Sequence, residues 1–406
     1  MKKLFLCHFT RQDAEVTALA EELHLRGVPL WLDHEGGFVF GDNVQAEARR
    51  VIGDSDETFG LLLYATPEAL TRDFINRIEL HEAILRKKKD DRFLLLAVPH
   101  RMSFERLAQL TLEKLGENLT LFKSQGIRDK DTEGIQFLPL RPQFAEIANE
   151  VLRHCLKARR QADDQDEVIG LNFCTRDRLP PSPDDALDID ATRLFGAAAP
   201  PAEAWSRLVA GLRDIKKELR ASTAVPRLRI RGSKHLTAAF LIGRVFPPPT
   251  VREILTQQGP ELWSTACPAA GQPFDIKVND GDASSEAMFV EITATDKSVR
   301  DGVRDFMQKS KLTPFVSLRI EPNGGPRRGA VTDNATACAM ALQVRAAIAD
   351  GLSAYGAKEI HLFTAVPQGL ATLIGHHLNA TVPIQLYEHD GQSYIPSLRL
   401  IHSELS

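Results

Sequence analysis

Short apolar runs alternate with longer amphipathic ones along the first 157 residues, and few folds accept that alternation. Lys2 to Phe9 reads as a buried strand, Asp13 to Arg26 as an amphipathic helix and Val28 to Leu32 as a second strand. The rhythm continues with a helix from Val44 to Ile52, a strand from Thr58 to Tyr64, a helix from Pro67 to Leu85, a strand from Phe93 to Val98 and a closing helix from Phe144 to Leu156. Buried strands joined by helices require a parallel, doubly wound sheet. The spacing therefore predicts one α/β domain over residues 1–157, a short charged linker over 158–166 and a second domain over 167–406.

The second domain carries an internal repeat. Leu228 to Arg231 leads through Gly232-Ser233-Lys234-His235 into Ala239-Phe240-Leu241-Ile242-Gly243, and Ile360 to Phe363 leads through Val366-Pro367-Gln368-Gly369 into Ala371-Thr372-Leu373-Ile374-Gly375. A shared A-x-L-I-G in the same strand-loop-helix setting predicts a duplicated α/β unit, hence two related halves with a cleft along a pseudo-two-fold axis. The proline-rich pieces at Pro180 to Pro183 and Pro247 to Pro249 read as loops within this domain, because strands resume beyond each.

With 43% hydrophobic and 26% charged residues in 406, the composition is that of an ordinary globular protein. A formal charge of -4 supplies no global basic field, so DNA is not an expected partner, while a small anion in a local basic pocket remains open. The five cysteines are odd in number and lack C-x-x-C spacing, which predicts buried, reduced thiols and neither a zinc site nor a disulfide framework. His81, His376 and His377 lack acidic companions at ligand spacing, so no metal is expected. No run approaches the roughly 18 apolar residues of a membrane helix, and the expected compartment is the cytoplasm.

Phe5-Leu6-Cys7-His8-Phe9-Thr10-Arg11-Gln12-Asp13, the helix to Gly27 and the segment from Val28 to Asp33 together resemble the opening of Toll/interleukin-receptor (TIR) domains, "F-I-S-Y-S-x-x-D … G-x-x-V-W-x-D". Gly41-Asp42 is similar to that family's glycine-acid pair, and the ordered set extends over about 150 residues. The resemblance implies a flavodoxin-like fold. In enzymatic members a glutamate on the helix after the third strand splits the nicotinamide-ribose bond, within W-x-x-x-E-[LI]-x-x-A. Here Glu79, followed by Leu80 and by Ala83, matches best. The aromatic, Phe74, stands five residues before it where the family has a Trp four before, and Glu82, with Arg86 one turn on, is the second candidate.

Cleavage of that bond passes through an oxocarbenium-like ribosyl cation, which one carboxylate stabilises. Nicotinamide leaves from an already cationic ring, so no general acid is required. The resemblance implies NAD+ as substrate, not cofactor, held by Phe9, Thr10 and Arg11 after the first strand, by Trp31 and Asp33, and by the loop from His34 to Asn43 with Phe38. The absence of G-x-G-x-x-G after the first strand disfavours a dinucleotide-binding dehydrogenase.

Lys234 to Gly243, Val290 to Thr295, Ile360 to Gly369 and Pro383 to Glu388 resemble the SAVED family (SMODS-associated and fused to various effector domains), itself similar to two fused Rossmann-like (CARF-like) ligand domains. Members bind cyclic oligonucleotides, commonly of three nucleotides. Loops at the carboxyl ends of parallel strands present the free N–H groups of helix N-termini to phosphates, which makes Lys234, His235, Thr293, Thr295, Gln368 and Gly369 the expected contacts, with Asn334 and Arg328 behind them. A TIR-SAVED fusion resembles effectors of cyclic-oligonucleotide-based antiphage signalling (CBASS). The expectation is that a second messenger, cyclic tri-adenylate first among candidates, drives an open head-to-tail homo-oligomer in which the TIR domain becomes a glycohydrolase that cuts NAD+ to nicotinamide and ADP-ribose. The alternative is a non-enzymatic TIR scaffold recruited by a nucleotide sensor.

Overall fold

Every residue of Thr58–Ala65 is buried, as a strand covered on both faces requires. That strand is central to the first of two compact units in the computed structural model, which describes residues 1–9, 13–32, 43–54, 56–127, 139–159, 168–196, 200–221, 225–248, 250–266, 271, 273–295, 299–378 and 382–405. The first unit comprises Met1–Ala162 with Pro181–Ile189, and the second Asp163–Pro180 with Asp190–Ser406.

In the first unit the order is β1 (Lys3–Cys7), α1 (Asp13–Leu25), β2 (Leu30–Trp31), α2 (Val44–Gly53), β3 (Thr58–Ala65), α3 (His81–Lys89), β4 (Leu94–Pro99), α4 (Phe104–Leu115), β5 (Lys123–Ser124) and α5 (Leu140–Arg159). The sheet runs β2-β1-β3-β4-β5 with all neighbours parallel. This is the flavodoxin-like order, whose direction of winding reverses between β1 and β3 and leaves a crevice at the carboxyl ends of those strands. The helix α4, not anticipated from the sequence, is delimited by the Ser103 side chain, which accepts from the Arg106 N–H at 3.2 Å, and by Gly116 in the left-handed region at φ 68°.

The single helix expected from Pro67 to Leu85 is three pieces: a 3-10 turn Ala69–Thr71, a π-helical stretch Ile75–Leu80 and α3. Arg72 is extended, with φ -85° and ψ 120°, and breaks the run. Nor do Glu82 and Arg86 pair as neighbouring turns of a solvated helix. Arg86 is buried and donates to the carbonyls of Ile52 at 2.7 Å, Asp54 at 2.6 Å and Thr58 at 2.8 Å, fastening α3 to the end of α2 and the start of β3. Glu82 faces Arg49 instead, at 3.7 Å.

The second unit repeats itself. Its first half uses β6 (Val168–Cys174), α6 (Thr192–Phe195), α7 (Ala202–Arg220), β8 (Arg227–Arg231), α8 (Leu236–Val245), β9 (Glu253–Gln258) and β10 (Glu261–Ser264). Between β6 and α6 in the chain lies β7 (Asp185–Asp190), whose residues group mainly with the first unit. Its second half uses β11 (Phe274–Asp280), β12 (Ala287–Thr293), α9 (Val299–Ser310), β13 (Val316–Pro322), α10 (Asn334–Tyr355), β14 (Glu359–Ala365), α11 (Gln368–His377), β15 (Ile384–His389) and β16 (Tyr394–Leu400). The runs β6-β8-β9-β10 and β12-β14-β15-β16 lie side by side in the same order, each with three parallel strands closed by an antiparallel hairpin partner. The duplication expected from A-x-L-I-G is thus a duplication of topology. Of the cysteines, Cys7, Cys155 and Cys174 are free and buried as expected, whereas Cys338 is disulfide-bonded, which corrects the expectation of reduced thiols throughout.

The two glycines of the A-x-L-I-G repeat explain the pairing of the halves within this chain. A Cβ on Gly243 would overlap the carbonyl oxygen of Thr372, and a Cβ on Gly375 would overlap that of Phe240. Each glycine therefore sits on the helix of the other half, three residues after the position its partner touches, and the helices meet backbone to backbone. Gly243→Ala is expected to cost about 3 kcal/mol through overpacking, although alanine is the better helix former. Gly53→Ala, where a Cβ meets nothing within 4 Å, is expected to be neutral or slightly stabilising. Urea unfolding of both variants checks the sign; an unaffected Gly243→Ala protein would overturn the close-contact account.

Candidate functional site

In the first unit, the carboxyl end of β1 brings Cys7 against the π-helical stretch. The Cys7 thiol donates to Glu79 Oε2 at 2.9 Å, and Glu79 is only 7% exposed. A π-helix takes up one residue more than the matching α-helical turn. That extra residue falls between Phe74 and Glu79, where the spacing is five instead of four, so the departure in sequence and the departure in helix type coincide. The neighbouring Asn76 is buried and donates to Leu70 O at 2.8 Å, which anchors the stretch. Of the two candidate glutamates, Glu79 lies at the crevice between β1 and β3, while Glu82 opens the first turn of α3 toward Arg49.

Phe9 follows β1, half-buried, with the Arg72 guanidinium 4.1 Å above its ring. Trp31 is buried and stacks on Phe5 at 4.4 Å with ring planes 15° apart, so one face of its indole is already occupied. Thr10, Arg11, Asp33 and Phe38 lie outside the described residues, as does the rest of the glycine-rich loop up to Asp42. Sequence reasoning missed a second polar group at the carboxyl ends of β3 and β4: the Tyr64 hydroxyl lies 2.7 Å from His100 Nδ1 and donates to Glu15 at 3.0 Å. Tyr64 stands 49 positions from Glu15 and 36 from His100, so no local pattern could have joined them.

In the second unit, the six expected contact residues gather at the carboxyl ends of β8, β12 and β14. Gln368 donates from its amide to Lys234 O at 2.6 Å, which joins the two equivalent loops directly. Thr295 donates from both its N–H and its hydroxyl to Ala365 O, at 3.1 Å each, and ties the β12 loop to the β14 loop. Thr293 is wholly buried at the end of β12, and its hydroxyl has no hydrogen-bond partner among the described residues. Of the two further candidates, Asn334 accepts from Ser264 N–H at 2.7 Å and Arg328 is exposed in a turn.

Each helix N-terminus already has a side-chain cap on one of its N–H groups, where free groups were expected. Thr237 N–H donates to Glu388 Oε1 at 2.6 Å, and Gly369 N–H donates to Gln258 Oε1 at 2.9 Å. His235 N–H donates to the Thr175 hydroxyl at 3.0 Å, and the same hydroxyl lies 3.0 Å from His235 Nδ1. Burial, reinforced by Arg176, pushes the His235 imidazole down to about 4, so it is neutral at pH 7. Burial likewise raises the Glu388 carboxyl, against the opposing hydrogen bonds of Thr237. His376, expected to be structural, holds Phe246 O at 2.9 Å.

Lys234 is the anomalous cation of this group, at 1% exposure with its ammonium on Gly232 O at 2.8 Å. Burial pushes it down to about 8 from the ordinary 10.5. Between those two values the unfolded chain binds more protons than the folded one, so stability rises with pH across that window; the cost of the buried charge is fully present below about 8 and gone above 10.5. Relative to Lys234→Met, the wild-type protein is expected to gain about 3 kcal/mol over that interval. Urea denaturation of both proteins at pH 7.5 to 10.5 measures it, and parallel pH profiles would contradict the buried-ammonium account.

Residues 211–400 match the model of the SMODS-associated and fused to various effectors (SAVED) sensor domain. Among solved structures, the Acinetobacter baumannii Cap4 SAVED/CARF-domain containing receptor with the cyclic trinucleotide 2'3'3'-cAAA is similar at a TM-score of 0.50 and 16% identity, covering 84% of this chain and 88% of that one. The Moraxella osloensis Cap4 receptor is similar at 0.44 and 17% identity, covering 95% and 97%. A search of curated proteins gives no match. Among the described residues, no helix is long and apolar enough to cross a membrane. Residues 211–400 of the second unit are therefore similar to the SAVED family, and the unit is built on two topologically equivalent α/β halves.

Proposed function

We propose that this chain is an antiphage effector in which a cyclic oligonucleotide binds the SAVED domain and switches on NAD+ cleavage by the N-terminal α/β unit. The observation that carries the sensor half of the reading is the direct bond between equivalent loops, Gln368 to Lys234, at the carboxyl ends of parallel strands in two duplicated halves. A ligand with internal repetition, such as a cyclic trinucleotide, suits a site made twice. The Cap4 receptor bound to 2'3'3'-cAAA makes cyclic tri-adenylates the first ligands to try.

The effector half rests on Glu79 at the crevice between β1 and β3. NAD+ placed there would lose nicotinamide as its C1'–N bond breaks, the bonding pair returning to the pyridine nitrogen. The carboxylate stabilises the ribosyl cation, water adds at C1', and its proton leaves to solvent, giving ADP-ribose. Activation by self-association into an open head-to-tail assembly supplies the switch, because heterologous contacts that do not close propagate. One observation favours the alternative, a scaffold without activity: Glu79 is 7% exposed and engaged by a thiol, an arrangement that a purely structural carboxylate would also show.

The two readings separate on NAD+ loss and nicotinamide release by purified full-length protein with a panel of cyclic di- and trinucleotides. Cleavage is expected with one ligand class only, and Glu79→Gln is expected to lower the rate by at least about 100-fold, the scale of removing a principal electrostatic stabiliser. Ligand binding without cleavage would leave the scaffold reading standing. Cleavage that survives in Glu79→Gln and disappears in Glu82→Gln would transfer the role to Glu82.

A further inference from the structure

The cross-caps at the sensor's helix N-termini are equivalent in position and unequal in charge. The strand after each helix, β9 in one half and β15 in the other, reaches across to cap the helix of the opposite half: Gln258 serves α11 and Glu388 serves α8. The α11 cap shows that a neutral amide oxygen suffices for this geometry, at 2.9 Å. Glu388 therefore brings more than the cap needs, an ionisable carboxyl at the positive end of the α8 dipole, where burial opposes its charge and the Thr237 hydrogen bonds and Arg176 favour it. The same helix end is tied again, Thr237 Oγ1 lying 2.8 Å from Ser397 Oγ on β16.

We infer that Glu388 is a resident anion, occupying the position that one phosphate of the bound oligonucleotide takes, so that ligand entry displaces the carboxylate and frees the β15–β16 hairpin from α8. This rests on the sensor reading above. An N-terminal helix turn accommodates one anion at close range, and two would repel in a partly desolvated site. Displacement converts binding into movement, since the carboxylate belongs to one half and the helix to the other. The neutral Gln258 cap on α11 imposes no such exchange, so the two halves respond unequally to a symmetric ligand.

The test compares wild type with Glu388→Gln, which keeps an oxygen acceptor for Thr237 and removes the charge. Calorimetric titration of full-length protein with 2'3'3'-cAAA at low and at physiological ionic strength is expected to show binding about fivefold tighter or more in the variant. Equal affinity would mean that the carboxylate does not compete, and weaker affinity would make Glu388 a direct contact of ligand hydroxyl or amino groups; either overturns the inference. If neither protein binds this trinucleotide or any other cyclic di- or trinucleotide of the panel, the sensor reading falls, and pyrophosphate decides the remaining question. A pyrophosphate-dependent rise in Tm in Glu388→Gln and not in wild type sustains the resident anion, and the same response in both overturns it.

Discussion

The backbone contact between α8 and α11 is the constraint on which the second unit depends. Helices carrying ordinary side chains pack with their axes 8–10 Å apart, and only glycine lets two backbones come closer. Because Gly243 and Gly375 occupy equivalent places, the contact is reciprocal, and it fixes the distance between the two loops that precede those helices. The Gln368 amide can then reach Lys234 O, and side chains of β9 and β15 can reach the opposite helix ends. A packing requirement in the core of the unit thereby sets the geometry of its polar face.

That polar face is tied together by side chains from neighbouring elements. Helix N-termini carry N–H groups without intrahelical partners, and leaving them bare in a half-buried cleft is costly. Here Thr175, Gln258 and Glu388 satisfy them from neighbouring elements. Lys234 is the counter-example, a cation held at a cost by burial beside a single carbonyl.

The first unit handles a carboxylate by a different device. Glu79 is turned toward the end of β1 by a π-helical stretch, and the Cys7 thiol supplies one donor. Arg86, on the α3 that continues from it, fastens that helix to the end of α2 and the start of β3 through three carbonyls, so the stretch carrying Glu79 is fixed on both sides. A π-helix gives up regular hydrogen-bonding geometry to redirect a side chain, and tertiary bracing of this kind is what sustains it.

Sequence alone determined the rhythm of both units, because hydrophobic periodicity and the A-x-L-I-G repeat are local and are read along the chain. It also singled out Glu79 and the loops at Lys234 and Gln368, since those residues lie in short contiguous patterns. It misjudged the helix from Pro67 to Leu85, where Arg72 turns to extended backbone, and it paired Arg86 with Glu82 when the guanidinium reaches carbonyls 28 to 34 positions away. It left the helix N-termini open, because the residues that close them, Gln258 and Glu388, are 111 and 151 positions from their partners. Local pattern fixed which elements form and which faces they bury; the capping of the helix ends at the sites was decided by distant segments, which meet only when the tertiary structure folds.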